Sequence, residues 1–236
     1  MAIYVTSDLH GLPLEKLEEL LRKVHFSDRD WLYILGDVID RENDGGVAIL
    51  RRCLYQPNVQ LLLGNHEAML LSCDFVFDEV TEDSIRQLSE EKMELLQNYT
   101  LNGGDVTLGA LRKLRDEDPE ELAEILEYLR EAPLYETVSA GGRDFILVHG
   151  GLENFRPDKK LSEYTADELL WCWPEPDDEY FDDILTVFGH TPTRAFGPQH
   201  KGKVLRTRTW IDIDVGVPYG CAPVLLRLDD LTEHSL

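Results

Sequence analysis

The sequence predicts an α/β protein, and three observations carry that expectation. Apolar runs of strand length occur at residues 3–5, 31–35 and 59–63, the stretches between them repeat apolar residues at helical spacing, and each run stops at polar, ligand-type residues. The stops lie roughly thirty residues apart, the length of a βαβ unit with its crossover helix, so the strands should run parallel.

Taken in order, the first run leads into Ser7-Asp8-Leu9-His10. Leu14, Leu17, Leu20, Leu21 and Val24 then mark an amphipathic helix with Glu15, Lys16, Glu18 and Glu19 on its far side. The second run leads into Gly36-Asp37-Val38-Ile39-Asp40-Arg41, and Val47, Ile49, Leu50 and Leu54 repeat the helical pattern over a shorter stretch. The third run leads into Gly64-Asn65-His66-Glu67. Ligands of open parallel sheets gather outside the carboxyl ends of the strands, so Asp8, His10, Asp37, Asp40, Arg41, Asn65 and His66 should converge there.

From residue 74 to about 132 the chain turns acidic and helical, with stretches at 84–98, 108–114 and 119–130, and reads as a helical insertion within a single domain spanning 1–236. Pro119 suits a first helical turn and Asp118 its N-cap, with Leu122, Ile125, Leu126 and Leu129 as the buried stripe. Strand patterns return at 133–138 and 144–148 around Ala140-Gly141-Gly142, a hairpin signal, and the second of them leads into His149-Gly150-Gly151. The run at 184–188 ends in Gly189-His190-Thr191-Pro192, and further apolar runs fall at 209–215 and 223–228.

Composition narrows the function classes. A length of 236 residues with 43% hydrophobic content supports one substantial core. No apolar stretch approaches the roughly 18 residues of a membrane span, and with a strand starting at Ile3 there is no room for a signal peptide, so a cytoplasmic location is expected. A net charge of −23 argues against nucleic acid or anionic membrane as a partner, because both need basic surface. Cys53, Cys73, Cys172 and Cys221 lack the paired spacing of a disulfide framework or zinc knuckle.

Carboxylate, amide and imidazole at strand ends suit two divalent ions, manganese first, with iron and zinc also compatible. Asp8, His10 and Asp37 are assigned to one ion and Asp37, Asn65, His149 and His190 to the other, with Asp37 as the bridge. Two dications leave a local positive excess that attracts phosphate, lower the pKa of a shared water and clamp phosphoryl oxygens for in-line displacement. His66 is the candidate proton donor to the leaving oxygen, Asp40 holds its tautomer, and Arg41 offers a planar fork to the phosphate. Asn65 and Tyr219 are further candidate substrate contacts.

The ordered set Asp8-x-His10, Gly36-Asp37-x-x-Asp40-Arg41, Gly64-Asn65-His66-Glu67, His149-Gly150-Gly151 and Gly189-His190-Thr191 resembles the phosphoprotein phosphatase branch of the calcineurin-like metallophosphoesterases. It is especially similar to small bacterial and phage serine/threonine phosphatases and to diadenosine tetraphosphate hydrolases. The resemblance implies a four-layer αββα sandwich, two mixed sheets between helical layers, with a dinuclear metal site. It also supports the roles of His66, Asp40 and Arg41.

Three positions depart from the family pattern. Glu42 replaces the glycine that usually follows the arginine, and Asp212-Ile213-Asp214 stands where the family often has Asp-Thr-Gly. Trp173 occupies the place of a second phosphate-binding arginine, for which Arg194 and Arg156 are candidate substitutes. The expected function is a metal-dependent phosphomonoester hydrolase of the serine/threonine phosphatase type, acting on phosphorylated protein or a small phosphoester. The alternatives are a diadenosine tetraphosphate hydrolase and, because of Trp173, a slow phosphate-binding regulatory module.

Overall fold

The computed structural model describes residues 1–79, 81–82 and 89–236. The first half runs β1 (Ile3–Thr6), α1 (Leu14–Lys23), β2 (Trp31–Ile34), α2 (Val47–Tyr55), β3 (Val59–Leu61) and α3 (Asn65–Ser72). Three helices follow, α4 (Glu90–Leu101), α5 (Asp105–Glu117) and α6 (Pro119–Glu131). The second half contains β4 (Tyr135–Ala140), β5 (Arg143–Val148), α7 (Ala166–Leu170), β6 (Ile184–Phe188), β7 (Leu205–Arg206), β8 (Trp210–Asp212), β9 (Val224–Arg227) and β10 (Thr232–Ser235).

Two five-stranded sheets form, ordered β10-β9-β1-β2-β3 and β4-β5-β6-β8-β7. The expected parallel pairs are present: Ile3 lies opposite Trp31, and Leu32 opposite Val59. In the first sheet β9 runs antiparallel to β1 and β10 antiparallel to β9; in the second, β4 and β7 form antiparallel edges on the parallel core β5-β6-β8. Both sheets are therefore mixed. The hairpin expected around Gly141 is the β4–β5 pair.

Alternation along the strands builds the layers, since successive side chains point to opposite faces. Ile3 and Val5 meet Leu147, Val187 and Ile211 between the two sheets, whereas Tyr4, Leu32 and Ile34 face Leu17, Leu20, Ile49 and Leu50 of the helical layer. On the outer face of the second sheet, Val148, Phe188 and Trp210 pack with Leu152, Tyr164 and Leu169. Here the layer is thin, the short α7 supplemented by loops. The order is helices, sheet, sheet, helix and loops.

The acidic segment packs into the core of the first half. Leu108, Leu111, Leu122, Ile125 and Leu129 share one buried core with α1, α2 and the first sheet. Asp118 accepts from the Glu121 amide at 3.0 Å, the expected N-cap before Pro119. The helix expected to begin at Ser84 is described only from Glu90, behind a Ser89 cap that accepts from Lys92 N at 3.2 Å; residues 84–88 lie outside the described residues. The 108–114 helix extends to 105–117. Among the described residues, no helix is long and apolar enough to cross a membrane.

Candidate metal centre and active site

The loops after β1, β2, β3, β5 and β6 meet at one end of the sandwich. Asp8, His10, Asp37, Asp40, Arg41 and His190 all have positive φ, between 40° and 76°, and they are six of the ten such non-glycine residues among those described. Side chains held in this sparsely allowed region concentrate where surrounding structure forces a functional geometry. Gly36, at φ 87°, passes so close to Gly64 and the His149 ring that a side chain there has no room. That close approach brings Asp37 against the N-terminus of α3.

Glu67 builds the floor. Its two buried oxygens accept from the amides of Asp37 (2.8 Å), Val38 (2.8 Å), Ile39 (3.3 Å) and Gly64 (3.0 Å). This carboxylate is thus the clamp on the loop that carries Asp37. Asp37 Oδ1 in turn accepts from the His66 amide at 3.0 Å.

The imidazoles are oriented by backbone carbonyls. His10 Nδ1 donates to Ile39 O at 3.1 Å, so its Nε2 faces Asp37 Oδ2 at 3.6 Å and Asp8 Oδ1 at 3.9 Å. His149 Nδ1 donates to Leu35 O at 2.6 Å, turning Nε2 toward Asn65 Oδ1 at 2.8 Å and Asp37 Oδ1 at 3.4 Å. His190 places Nδ1 2.9 Å from Asn65 Oδ1, while its amide donates to Asp8 Oδ2 at 2.9 Å. A second ring contact comes from Trp173 Nε1, which donates to His190 Nε2 at 3.0 Å.

Two groups of ligand-type atoms result, one from His10, Asp37 and His66 and one from Asp37, His149 and His190, each within 4.8 Å. Asp37 belongs to both, the place expected of a bridge. Asp8 and Asn65 adjoin the two groups through the contacts above. The donor set fits divalent ions on its own chemistry: burial pushes the Asp37 carboxyl well above its ordinary range and the Asp8 charge adds to this, although His66 opposes it. Burial pushes His10 well below the imidazole range and His190 down to about 2, so both rings are neutral, as metal ligands must be. Bound dications would offset the crowded acidic charge.

His66 stands in the first group, 3.9 Å from Asp37 Oδ2, but has further partners of its own. Its Nδ1 donates to Asp40 Oδ2 at 2.6 Å, and Nε2 lies 3.1 Å from an Arg41 guanidinium nitrogen. Burial lowers its pKa, but the charges of Asp37 and hydrogen-bonded Asp40 outweigh burial and raise it overall. Asp40 therefore fixes the Nδ1–H tautomer and leaves Nε2 beside Arg41. Asp40 is fully buried and its Oδ1 accepts from Tyr99 Oη at 2.7 Å and Thr107 Oγ1 at 2.6 Å. Neither partner was signalled by the sequence, because both come from α4 and α5.

Above this floor lies a cleft of about 630 Å³ lined by His10, Arg41, Asn65 and His66 on one side and by Arg194, Lys201 and Tyr219 on the other. Of the two candidate substitutes for the missing arginine, Arg194 reaches the cleft, with its guanidinium carbon 3.5 Å from the centre of the Tyr219 ring. Arg156 does not line it and instead pairs with Asp158 at 3.6 Å. Asp214 lines the cleft as well, its carboxyl raised by burial and by the Asp8 charge.

The fold and the two groups of ligand-type side chains fit the class of metal-dependent phosphoesterases. The sequence model of one family, described as calcineurin-like phosphoesterase, matches residues 1–215, and the chain belongs to that family of dimetal hydrolases. Similar curated proteins are named symmetrical bis(5'-nucleosyl)-tetraphosphatases. The one from Acidovorax sp. (strain JS42) is 33% identical over 172 residues, 72% of this chain and 48% of the relative. The one from Chromobacterium violaceum is 33% identical over 201 residues, 82% of this chain and 58% of the relative. The chain spans about half the length of these relatives.

Two solved structures share the fold. One, provisionally described as a diadenosine tetraphosphatase, has a TM-score of 0.61 at 19% identity and covers 100% of this chain and 92% of its own. The other is a protein serine/threonine phosphatase from Saccharomyces cerevisiae with similarity to human phosphatase PP5, with a TM-score of 0.58 at 14% identity, covering 100% and 79%.

Proposed function

We propose that this chain hydrolyses dinucleoside oligophosphates of the bis(5'-nucleosyl)-tetraphosphate class. The observation that carries the reading is the cleft itself. Its lining includes Arg41, Arg194 and Lys201, and the last two, among the described residues, are paired with no carboxylate. In a chain of net charge −23, three cations lining one cleft suit a multiply charged anion better than a single phosphate. The names of the curated relatives agree with this choice over the serine/threonine phosphatase expectation.

In this reading Asp8, His10 and Asp37 hold one ion and Asp37, Asn65, His149 and His190 the other, with manganese, iron or zinc compatible with the mixed nitrogen and oxygen donors. Such ions activate water and polarise the phosphoryl group. Arg41 orients the phosphate through its planar fork, and His66 Nε2 gives its proton to the oxygen that leaves phosphorus. Arg194, carried on Tyr219, takes the place of the arginine that Trp173 displaces, so the slow-module alternative loses its motivation.

A second reading, the phosphomonoesterase, is favoured by the fully supported His66–Asp40 pair. An alkoxide leaving group such as that of serine needs a donated proton more than a phosphate leaving group does. A manganese-loaded sample assayed on diadenosine tetraphosphate, a phosphothreonine peptide and p-nitrophenyl phosphate separates the two. The proposal expects the highest kcat/KM on the dinucleotide. Turnover of the peptide with the dinucleotide left intact contradicts it.

A further inference from the structure

Beyond His190 the wall of the cleft changes character. Trp171 and Trp173 line it and are 44% and 61% exposed, whereas Cys172 between them is buried. The cause is local. Leu169 and Leu170 anchor α7 in the core, and the chain that leaves the helix alternates out, in, out, so both indoles emerge at the cleft. Each indole stands nearly perpendicular to the His190 ring, at 88° and 89°, with centroids 5.9 and 6.2 Å away. His190 therefore separates the metal-centre residues on one side from an aromatic wall on the other.

Two large indoles left in water at alternate positions, beside a cleft that also presents uncompensated cations, form the combination that binds nucleotides. Flat aromatic faces stack bases of any sequence, and cations track the phosphates. We infer that Trp171 and Trp173 form a nucleobase-stacking subsite that holds one nucleoside of the substrate, with Arg194 and Lys201 contacting phosphates beyond the one attacked. The inference deepens the dinucleotide reading above and rests on it. Trp173, standing where the family resemblance places an arginine, has exchanged a phosphate contact for a base contact. A phosphopeptide carries no ring that this wall must receive.

The test compares two ligands that differ only in the nucleoside, α,β-methylene-ADP and methylenediphosphonate, titrated calorimetrically into the manganese-loaded protein. The nucleotide should bind at least about tenfold tighter. Replacing both indoles (Trp171→Ala with Trp173→Ala) should cut that preference roughly 5- to 100-fold, the range of base–aromatic stacking, while the double Trp→Phe variant keeps most of it. Equal binding of the two ligands by the unmodified protein, or an unchanged preference in the double alanine variant, overturns the subsite. The outcome is separable from that of the substrate reading. Preference for the nucleotide without cleavage of diadenosine tetraphosphate supports the base subsite and removes the substrate, whereas cleavage without preference overturns the subsite alone.

Discussion

The Tyr99 hydroxyl donates to Asp40 Oδ1 at 2.7 Å, so a helix outside both sheets ends on the carboxylate that orients His66. Tyr99→Phe leaves Asp40 with Thr107 and His66 but loosens its position. We expect kcat on an alkyl phosphate to fall about tenfold, the scale of outer hydrogen-bond partners in metal sites. The loss should be smaller on p-nitrophenyl phosphate, whose phenolate leaves without a proton. Equal losses on both substrates would show that Tyr99 acts on something other than proton donation.

His66→Asn removes the proposed proton donor while retaining a polar side chain. Turnover of an alkyl phosphate should drop roughly 10²- to 10⁴-fold, the usual contribution of general acid catalysis, with bound metal unchanged. Kinetics paired with metal analysis of the same sample checks both halves.

The meeting of the candidate metal ligands was legible because most of them stand just after an apolar run. Asp8, Asp37, Asn65, His149 and His190 needed only strand recognition and the rule that ligands collect at carboxyl ends. Tyr99 and Thr107 were not, since their meeting with Asp40 depends on how α4 and α5 pack, which periodicity does not encode. Glu67 was visible as a residue but not as a clamp, because three of the four amides it gathers belong to a loop some thirty residues earlier. In the sheets, β7 has two residues and β10 reads Thr-Glu-His-Ser, too short or too polar to stand out. Arg194 and Arg156 could be told apart only by the cleft.

Glu67→Gln tests the clamp. An amide nitrogen must then face backbone N–H groups where a carboxylate oxygen accepted them, so folding stability should fall by about 2–3 kcal/mol. Urea denaturation gives the value directly, and a change within error of zero would contradict the role.

Asp212 makes stability depend on pH. Burial, then the neighbouring Asp214 charge, raises its carboxyl well above the ordinary 3.8, and its Oδ2 has no hydrogen-bond partner among the described residues. A folded pKa above the unfolded one gives a contribution that is fully present below the unfolded value and is lost as pH rises through the folded value. In chelator, the melting temperature of Asp212→Asn relative to the unaltered protein should therefore be higher at pH 8 than at pH 5. A difference that does not vary with pH would refute the assignment.

The shared position of Asp37 in both ligand groups is the centre of the account. The number of manganese ions bound per chain after reconstitution, read by mass spectrometry of the metal content, tests it most directly. About two ions are expected in the unaltered protein, with a loss from both positions in Asp37→Asn. An Asp37→Asn variant that still holds both ions would contradict it.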